Sequence, residues 1–227
     1  DDLSVTFGAG QTTALVGPSG GGKSTILNLI LRLYDPGEGS IFIDGQDIKS
    51  ATFVSLRDKI AFVGQDTFLF AATIMDNLLL ARPGALPEEA MEAAKIANAH
   101  DFITELPDGY DTLIGENGAS LSGGQRQRLS IARAILRLAP SILLFEATSA
   151  LDSHSEVLVR DALDAITVNV TTIVIAHRLS TVMNADQICY LENGQVVEQG
   201  TIDQLIALDG KFKELYDMQF NQAEGKQ

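Results

Sequence analysis

Gly17-Pro18-Ser19-Gly20-Gly21-Gly22-Lys23-Ser24-Thr25 decides how this chain is read. The stretch has the spacing Gly-x4-Gly-Lys-Ser. It follows the apolar run Thr13-Ala14-Leu15-Val16 and opens the helical pattern Ile26-Leu27-Asn28-Leu29-Ile30-Leu31. Strand, glycine loop and helix in that order give the spacing a physical meaning. Glycines let successive backbone N–H groups turn into one concavity that wraps phosphate oxygens. The helix that follows adds the positive end of its dipole. Lys23 then reaches toward β- and γ-phosphates, and Ser24 offers a hydroxyl to Mg²⁺.

Working outward, the bulk numbers fit a globular domain. The chain has 227 residues, 45% of them hydrophobic, enough for a substantial core. No apolar run approaches the ~20 residues of a membrane helix, and no signal peptide is visible. A net charge of −14 argues against a nucleic-acid backbone as partner. Cys189 stands alone in the apolar run Gln187-Ile188-Cys189-Tyr190-Leu191. It reads as a buried strand residue, in keeping with a reducing, cytosolic setting.

Upstream of the loop, Leu3-Ser4-Val5-Thr6-Phe7 alternates as a half-buried strand does, with Thr12 to Val16 as its expected neighbour. A chain that begins on this strand reads as a fragment of something longer. Downstream, the first helix is expected to run to about Leu33. A strand is expected at Ser40–Asp44, a turn at Gly45-Gln46, a short helix at Phe53–Arg57 and a strand at Ile60–Val63. Gln65 follows that strand's end. From Thr73 to about Leu106 the periodicity is helical, with Thr73 as a cap and Pro87-Glu88-Glu89 opening a second helix. The second half alternates again. Helices are expected at Ser122–Leu138 and Asp152–Ile166, and strands at Ser141–Phe145 and Thr171–Ala176. A short helix near Leu179–Met183, a hairpin about Asn193-Gly194 and a closing pair of helices complete the pattern. Such alternation implies a mostly parallel sheet covered by helices.

A second phosphate-binding device lies at Leu121-Ser122-Gly123-Gly124-Gln125. Ser122 can cap the following helix, and the glycines let a phosphate approach its first N–H groups. One triphosphate could be gripped by both devices, on one subunit or between two. Glu146 and His177 each follow an apolar strand, Ile142-Leu143-Leu144-Phe145 and Ile173-Val174-Ile175-Ala176. With Gln65 they occupy strand C-terminal ends, where open α/β sheets hold ligands.

These residues resemble the nucleotide-binding domain of an ABC transporter, most of all the exporter type with its membrane domain fused ahead. Gly17 to Thr25 is similar to the family's Walker A loop and Gln65 to its Q-loop. Leu121 to Gln125 resembles the LSGGQ signature, Ser149-Ala150-Leu151-Asp152 the D-loop, and His177 the switch histidine. The segments Phe68–Ile74 and Gly115–Gly118 resemble exporter stretches that contact coupling helices of the membrane domain. The resemblance implies a P-loop NTPase, RecA-like α/β core with an N-terminal antiparallel β part. Residues 1–72 and 140–227 would form that core, and 73–139 an inserted α-helical signature subdomain.

It also implies ATP and Mg²⁺ as ligands and a second nucleotide-binding domain, identical or not, as partner. Two cassettes would pair head to tail, the signature acting in trans. Gln65, Glu146 and His177 are then the catalytic residues, and Ser24 and Gln65 the Mg²⁺ ligands. Gln65 and His177 join the Walker A residues in holding ATP. The membrane domain's coupling helices would be the other partner, with no nucleic acid and no direct membrane insertion. The expected location is the cytoplasmic face of a membrane, the cell inner membrane if bacterial.

Two departures stand out. The family's adenine-stacking aromatic precedes the position where this chain begins, so no stacking residue is named. The family's Walker B strand continues with Asp then Glu, whereas here Phe145 runs directly into Glu146. Anchored on Ala147 to Asp152, Glu146 is the catalytic carboxylate and Phe145 stands in the Asp position. Anchored upstream, Glu146 replaces the Asp and the base is missing. A deletion, a designed variant and an Asp missing from the written sequence all fit this spacing. The alternative function is therefore an ATP-binding, dimerising cassette with impaired hydrolysis.

Overall fold

The computed structural model describes residues 3–115, 118–145, 151–176 and 179–224, without the side chains of 179–180 and 219–224. The chain divides into two compact units.

The first unit comprises Asp1–Ile60, Leu143–Phe145 and Asn169–Gln227. Its centre is β1 (Thr12–Val16), which pairs in parallel with β6 (Thr171–Ile175) and β7 (Gln187–Glu192). The register sets Leu15 opposite Ile175 on one side and Cys189 on the other. β7 turns back antiparallel into β8 (Gln195–Gly200) about Asn193-Gly194, both at positive φ. Within this unit the sheet order is β5-β6-β1-β7-β8, where β5 is Ser141–Phe145. Ala14, Leu15 and Val16 of β1 and the middle of β7 are apolar and buried, the pattern of strands covered on both faces.

Helix α1 (Lys23–Ile30) buries Ile26 and Leu27 in an apolar cluster with Leu15, Ile48, Leu56, Ile175 and Leu191. Strands β2 (Phe42–Ile43) and β3 (Gln46–Asp47) form a separate antiparallel pair ahead of α2 (Phe53–Arg57). Helices α8 (Leu179–Met183), α9 (Ile202–Leu208) and α10 (Lys211–Glu224) complete the unit.

Several expectations change here. Leu3–Phe7 forms no ladder; its Leu3, Val5 and Phe7 instead pack on the apolar cluster. Alternation reports one-sided burial, not a hydrogen-bonded neighbour, so β1 has β6 and β7 beside it instead. The Ser40–Asp44 strand shrinks to β2 because Asp44 and Gly45 make the left-handed turn, and Gln46 is already in β3. Helix α1 stops at Ile30, and Arg32 takes φ 51°.

The second unit comprises Ala61–Ile142 and Glu146–Val168. It holds most of β4 (Ile60–Val63), then α3 (Ile74–Leu79), α4 (Pro87–Ile96), α5 (His100–Thr104), α6 (Gly123–Arg137) and α7 (Ser153–Thr167). Helix α6 is the hub and packs against α3, α4 and α7. Its start is a capping box: Ser122 Oγ accepts from Gln125 N–H, and Gln125 Oε1 accepts from Ser122 N–H. Thr73 caps α3 and Asp152 caps α7 by the side-chain oxygen alone, accepting from the N–H groups of Asp76 and Ser155.

Candidate functional site: a phosphate loop and a capped signature helix

In the first unit, the loop after β1 reverses on glycines at positive φ: Gly17 at 131°, Gly20 at 79° and Gly22 at 102°. Gly22 is the N-cap of α1 and supplies no side-chain cap, so the first N–H groups of α1 face outward unpaired by a cap. The missing Cβ atoms are needed twice over. A Cβ on Gly17 would stand 2.1 Å from the Leu191 carbonyl oxygen, and one on Gly21 2.8 Å from it. Gly194 N–H donates to Gly21 O at 3.2 Å, which seats the loop on the β7–β8 turn.

Lys23 is buried, and its ammonium donates to the carbonyls of Gly17 and Pro18, both at 2.8 Å. Burial holds its pKa below the ordinary lysine value. An ammonium has three protons, so one remains for an oxygen brought to the loop. Pro18, Ser19 and Gly20 line the open side, and Ser24 and Thr25 are exposed on the first turn of α1. A hydroxyl is a hard oxygen donor of the kind Mg²⁺ takes beside phosphates and water. Phe145, at the end of β5, packs its ring against the apolar cluster and offers no oxygen.

In the second unit, Leu121 is buried and Ser122 and Gly123 are exposed. The capping box occupies the N–H groups of Ser122 and Gln125, leaving those of Gly123 and Gly124 without intrahelical partners. Gly124 has a second reason to be glycine. A Cβ there would lie 2.5 Å from both Cβ and Oγ of Ser155 on α7. Asp152, exposed, accepts from Ser155 N–H at 3.0 Å, and that bond holds its carboxyl below the usual range. Leu151 lies half-buried beside it, its Cδ2 3.5 Å from where a Gly123 Cβ would stand. Gln65 is exposed on the turn after β4.

Glu146, Ser149, Ala150 and His177 lie outside the described residues, as does the join between Phe145 and Glu146. Cys189 is buried in β7 as expected, its thiol pushed up to about 11 by burial. Sequence reasoning missed Leu191, Ser155 and Gln127. The first two act through close packing against glycine and leave no local sequence signal. Gln127 lies two residues past the signature; with Arg128 it is one of two buried residues of α6 that carry a polar side chain.

Among the described residues, no helix is long and apolar enough to cross a membrane, and no cluster of His, Cys, Asp or Glu could hold a metal. The sequence profile of the family described as ABC transporter matches residues 1–149. The ABC transporter ATP-binding protein y4gM of Sinorhizobium fredii is 61% identical over 218 residues, 96% of this chain and 37% of that protein. A Staphylococcus aureus protein with the name multidrug export ATP-binding/permease protein is 53% identical over 96% of this chain and 38% of its own length. The structure of a bacterial Atm1-family ABC exporter with ATP bound superposes with a TM-score of 0.88 at 47% identity, covering 96% of this chain and 38% of that one. This chain therefore spans little more than a third of each of these relatives. With its P-loop NTPase fold and a profile match across most of its length, the chain belongs to the ABC transporter family, as an exporter-type ATP-binding domain.

Proposed function

We propose that this domain binds and hydrolyses ATP, pairs head to tail with a second nucleotide-binding domain, and powers export through a membrane domain. The family's members are ATPases, and the loop geometry carries the reading for this chain. Glycines at positive φ, an uncapped helix start and a buried ammonium with one proton to spare form a cradle for phosphate. In this reading Gly17 to Thr25 grip the β- and γ-phosphates, and Ser122 with Gly123 and Gly124 close over the γ-phosphate from the partner. Residues 73–139 form the signature subdomain, and the 149–152 loop accompanies it at the pairing surface. Gln65 and His177 orient the γ-phosphate, and Glu146 takes up the proton of the attacking water. Mg²⁺, held by Ser24 and Gln65, would neutralise charge on the phosphate oxygens. Catalysis is then mostly positioning and charge stabilisation. The second domain is a copy of this one or a different one; the membrane domain's coupling helices would meet the Phe68–Ile74 and Gly115–Gly118 segments. The site would work at the cytoplasmic face.

A second reading has its own observation. Phe145 presents an apolar ring where the downstream anchoring expects an Mg²⁺-binding carboxylate. It supports a cassette that clamps on ATP and dimerises but turns over slowly. ATP hydrolysis measured beside ATP-dependent self-association separates the two. Turnover together with association supports the first reading; association without turnover overturns it in favour of the second.

A further inference from the structure

Gln127 lies on α6, five residues after its cap Ser122. Its side chain is buried, with both ends of its amide bonded. Its amide Nε2 donates to the Gly64 carbonyl at 3.3 Å, and its Oε1 accepts from the Thr67 hydroxyl at 2.9 Å. The two bonds grip the turn on either side of Gln65 and Asp66, both of which are exposed. The next segment is fastened separately. Arg133, also on α6, donates to the carbonyls of Phe68 and Asn77, both at 2.7 Å. Buried Asn77 donates to the carbonyls of Phe70 and Thr73 and accepts from Phe70 N–H. With Phe68 onward held by Arg133 and Asn77, Gln127 alone on α6 secures the short turn that presents Gln65. A buried amide with both ends satisfied is costly to disturb, and its bonds fix geometry tightly.

We propose that Gln127 is a positioning residue: its amide locks the Gly64–Thr67 turn onto the helix capped by Ser122, so that Gln65 and Ser122 keep one fixed spacing. The inference rests on the reading above, in which Gln65 acts on Mg²⁺ and the γ-phosphate. It adds that a displacement of the Gln65 turn is passed to the signature helix through one side chain.

The test uses the intact protein and four variants: Gln127→Met, Thr67→Val, Gln65→Ala and the Gln65→Ala/Gln127→Met pair. Met keeps the length and fills the buried space without the two bonds; Val keeps the shape of Thr67 without the hydroxyl. Amide hydrogen exchange over residues 64–67 should rise about tenfold in Gln127→Met and less in Thr67→Val, with α6 unchanged. The Mg²⁺ concentration for half-maximal ATP binding should rise about tenfold in both Gln127→Met and Gln65→Ala. The pair should be no worse than Gln65→Ala alone, because the two act as one unit. Unchanged exchange in Gln127→Met and Thr67→Val overturns the clamp. Faster exchange with unchanged Mg²⁺ dependence, while Gln65→Ala does shift it, overturns the positioning role and leaves the role of Gln65 standing. No effect of Gln65→Ala on Mg²⁺ dependence overturns both.

Discussion

Lys23 shows how one side chain can be tuned by its own loop. Its ammonium is already held by the Gly17 and Pro18 carbonyls, so it arrives at a phosphate with its position fixed and little rotamer freedom left to lose. Removing it in Lys23→Ala should weaken ATP binding about 10- to 100-fold, the range for a charged hydrogen bond, as read by calorimetric titration. Burial lowers its pKa from 10.5, and this has opposite consequences for folding and binding. Between the lowered value and 10.5 the unfolded lysine holds more proton than the folded one. The ligand-free domain therefore gains stability as pH rises through that window. ATP affinity runs the other way, because a neutral amine no longer attracts phosphate. Affinity titrated from neutral pH up to 10.5 should start to fall below the ordinary lysine value, and Lys23→Arg should flatten that fall. The spacing Gly-x4-Gly-Lys-Ser made this residue legible because the loop's demands are local. That Gly17 must also clear the Leu191 carbonyl was not legible, since the clash comes from a strand far along the chain.

At the scale of elements, caps were easier to read than partners. Thr73 and Ser122, read as caps, each stand where a short polar side chain meets a helical pattern and accept from the N–H three residues on; Asp152, read as the first helical residue, proves to be a cap of the same kind. Such signals lie within a few residues of one another. Leu3–Phe7 failed for the complementary reason: its alternation is real, but a ladder depends on which strand comes alongside. The signature glycines lie between these cases. Gly124 reads from sequence as room for a phosphate, and its packing makes it room for Ser155 as well. Gly124→Ala should therefore destabilise the protein by about 1–3 kcal/mol through overpacking, despite alanine's better helix propensity. Pairing it with Ser155→Gly should recover part of that loss. Thermal or urea unfolding of the two single variants and the pair measures the coupling; additive losses would mean the α6–α7 approach is not what requires glycine.

For the whole molecule, turnover depends on how the strand that ends at Phe145 serves an intact phosphate loop. The sheet, the cradle and the capped signature helix satisfy the local requirements for binding. The β5 strand is less well matched to the chemistry. Its residues Ile142, Leu143 and Leu144 are all buried, so a one-residue shift in register would leave an apolar pattern intact. The strand can thus lose a residue without a visible fault in its pattern; anchored on the residues downstream, Phe145 would stand where the family has a carboxylate, and anchored upstream, Glu146 would. Inserting Asp between Phe145 and Glu146 restores the family's Asp-Glu order. It should raise the rate of ATP hydrolysis about 10- to 100-fold and lower the Mg²⁺ concentration needed, the scale on which a metal site responds to losing a supporting group. ATP-dependent self-association should change much less, because the phosphate loop and signature are untouched. Steady-state hydrolysis and sedimentation of the two proteins side by side make the comparison. Equal turnover in both would mean that this chain does without the missing carboxylate, and that its ATPase chemistry rests on the phosphate loop, Gln65 and Glu146 as they stand.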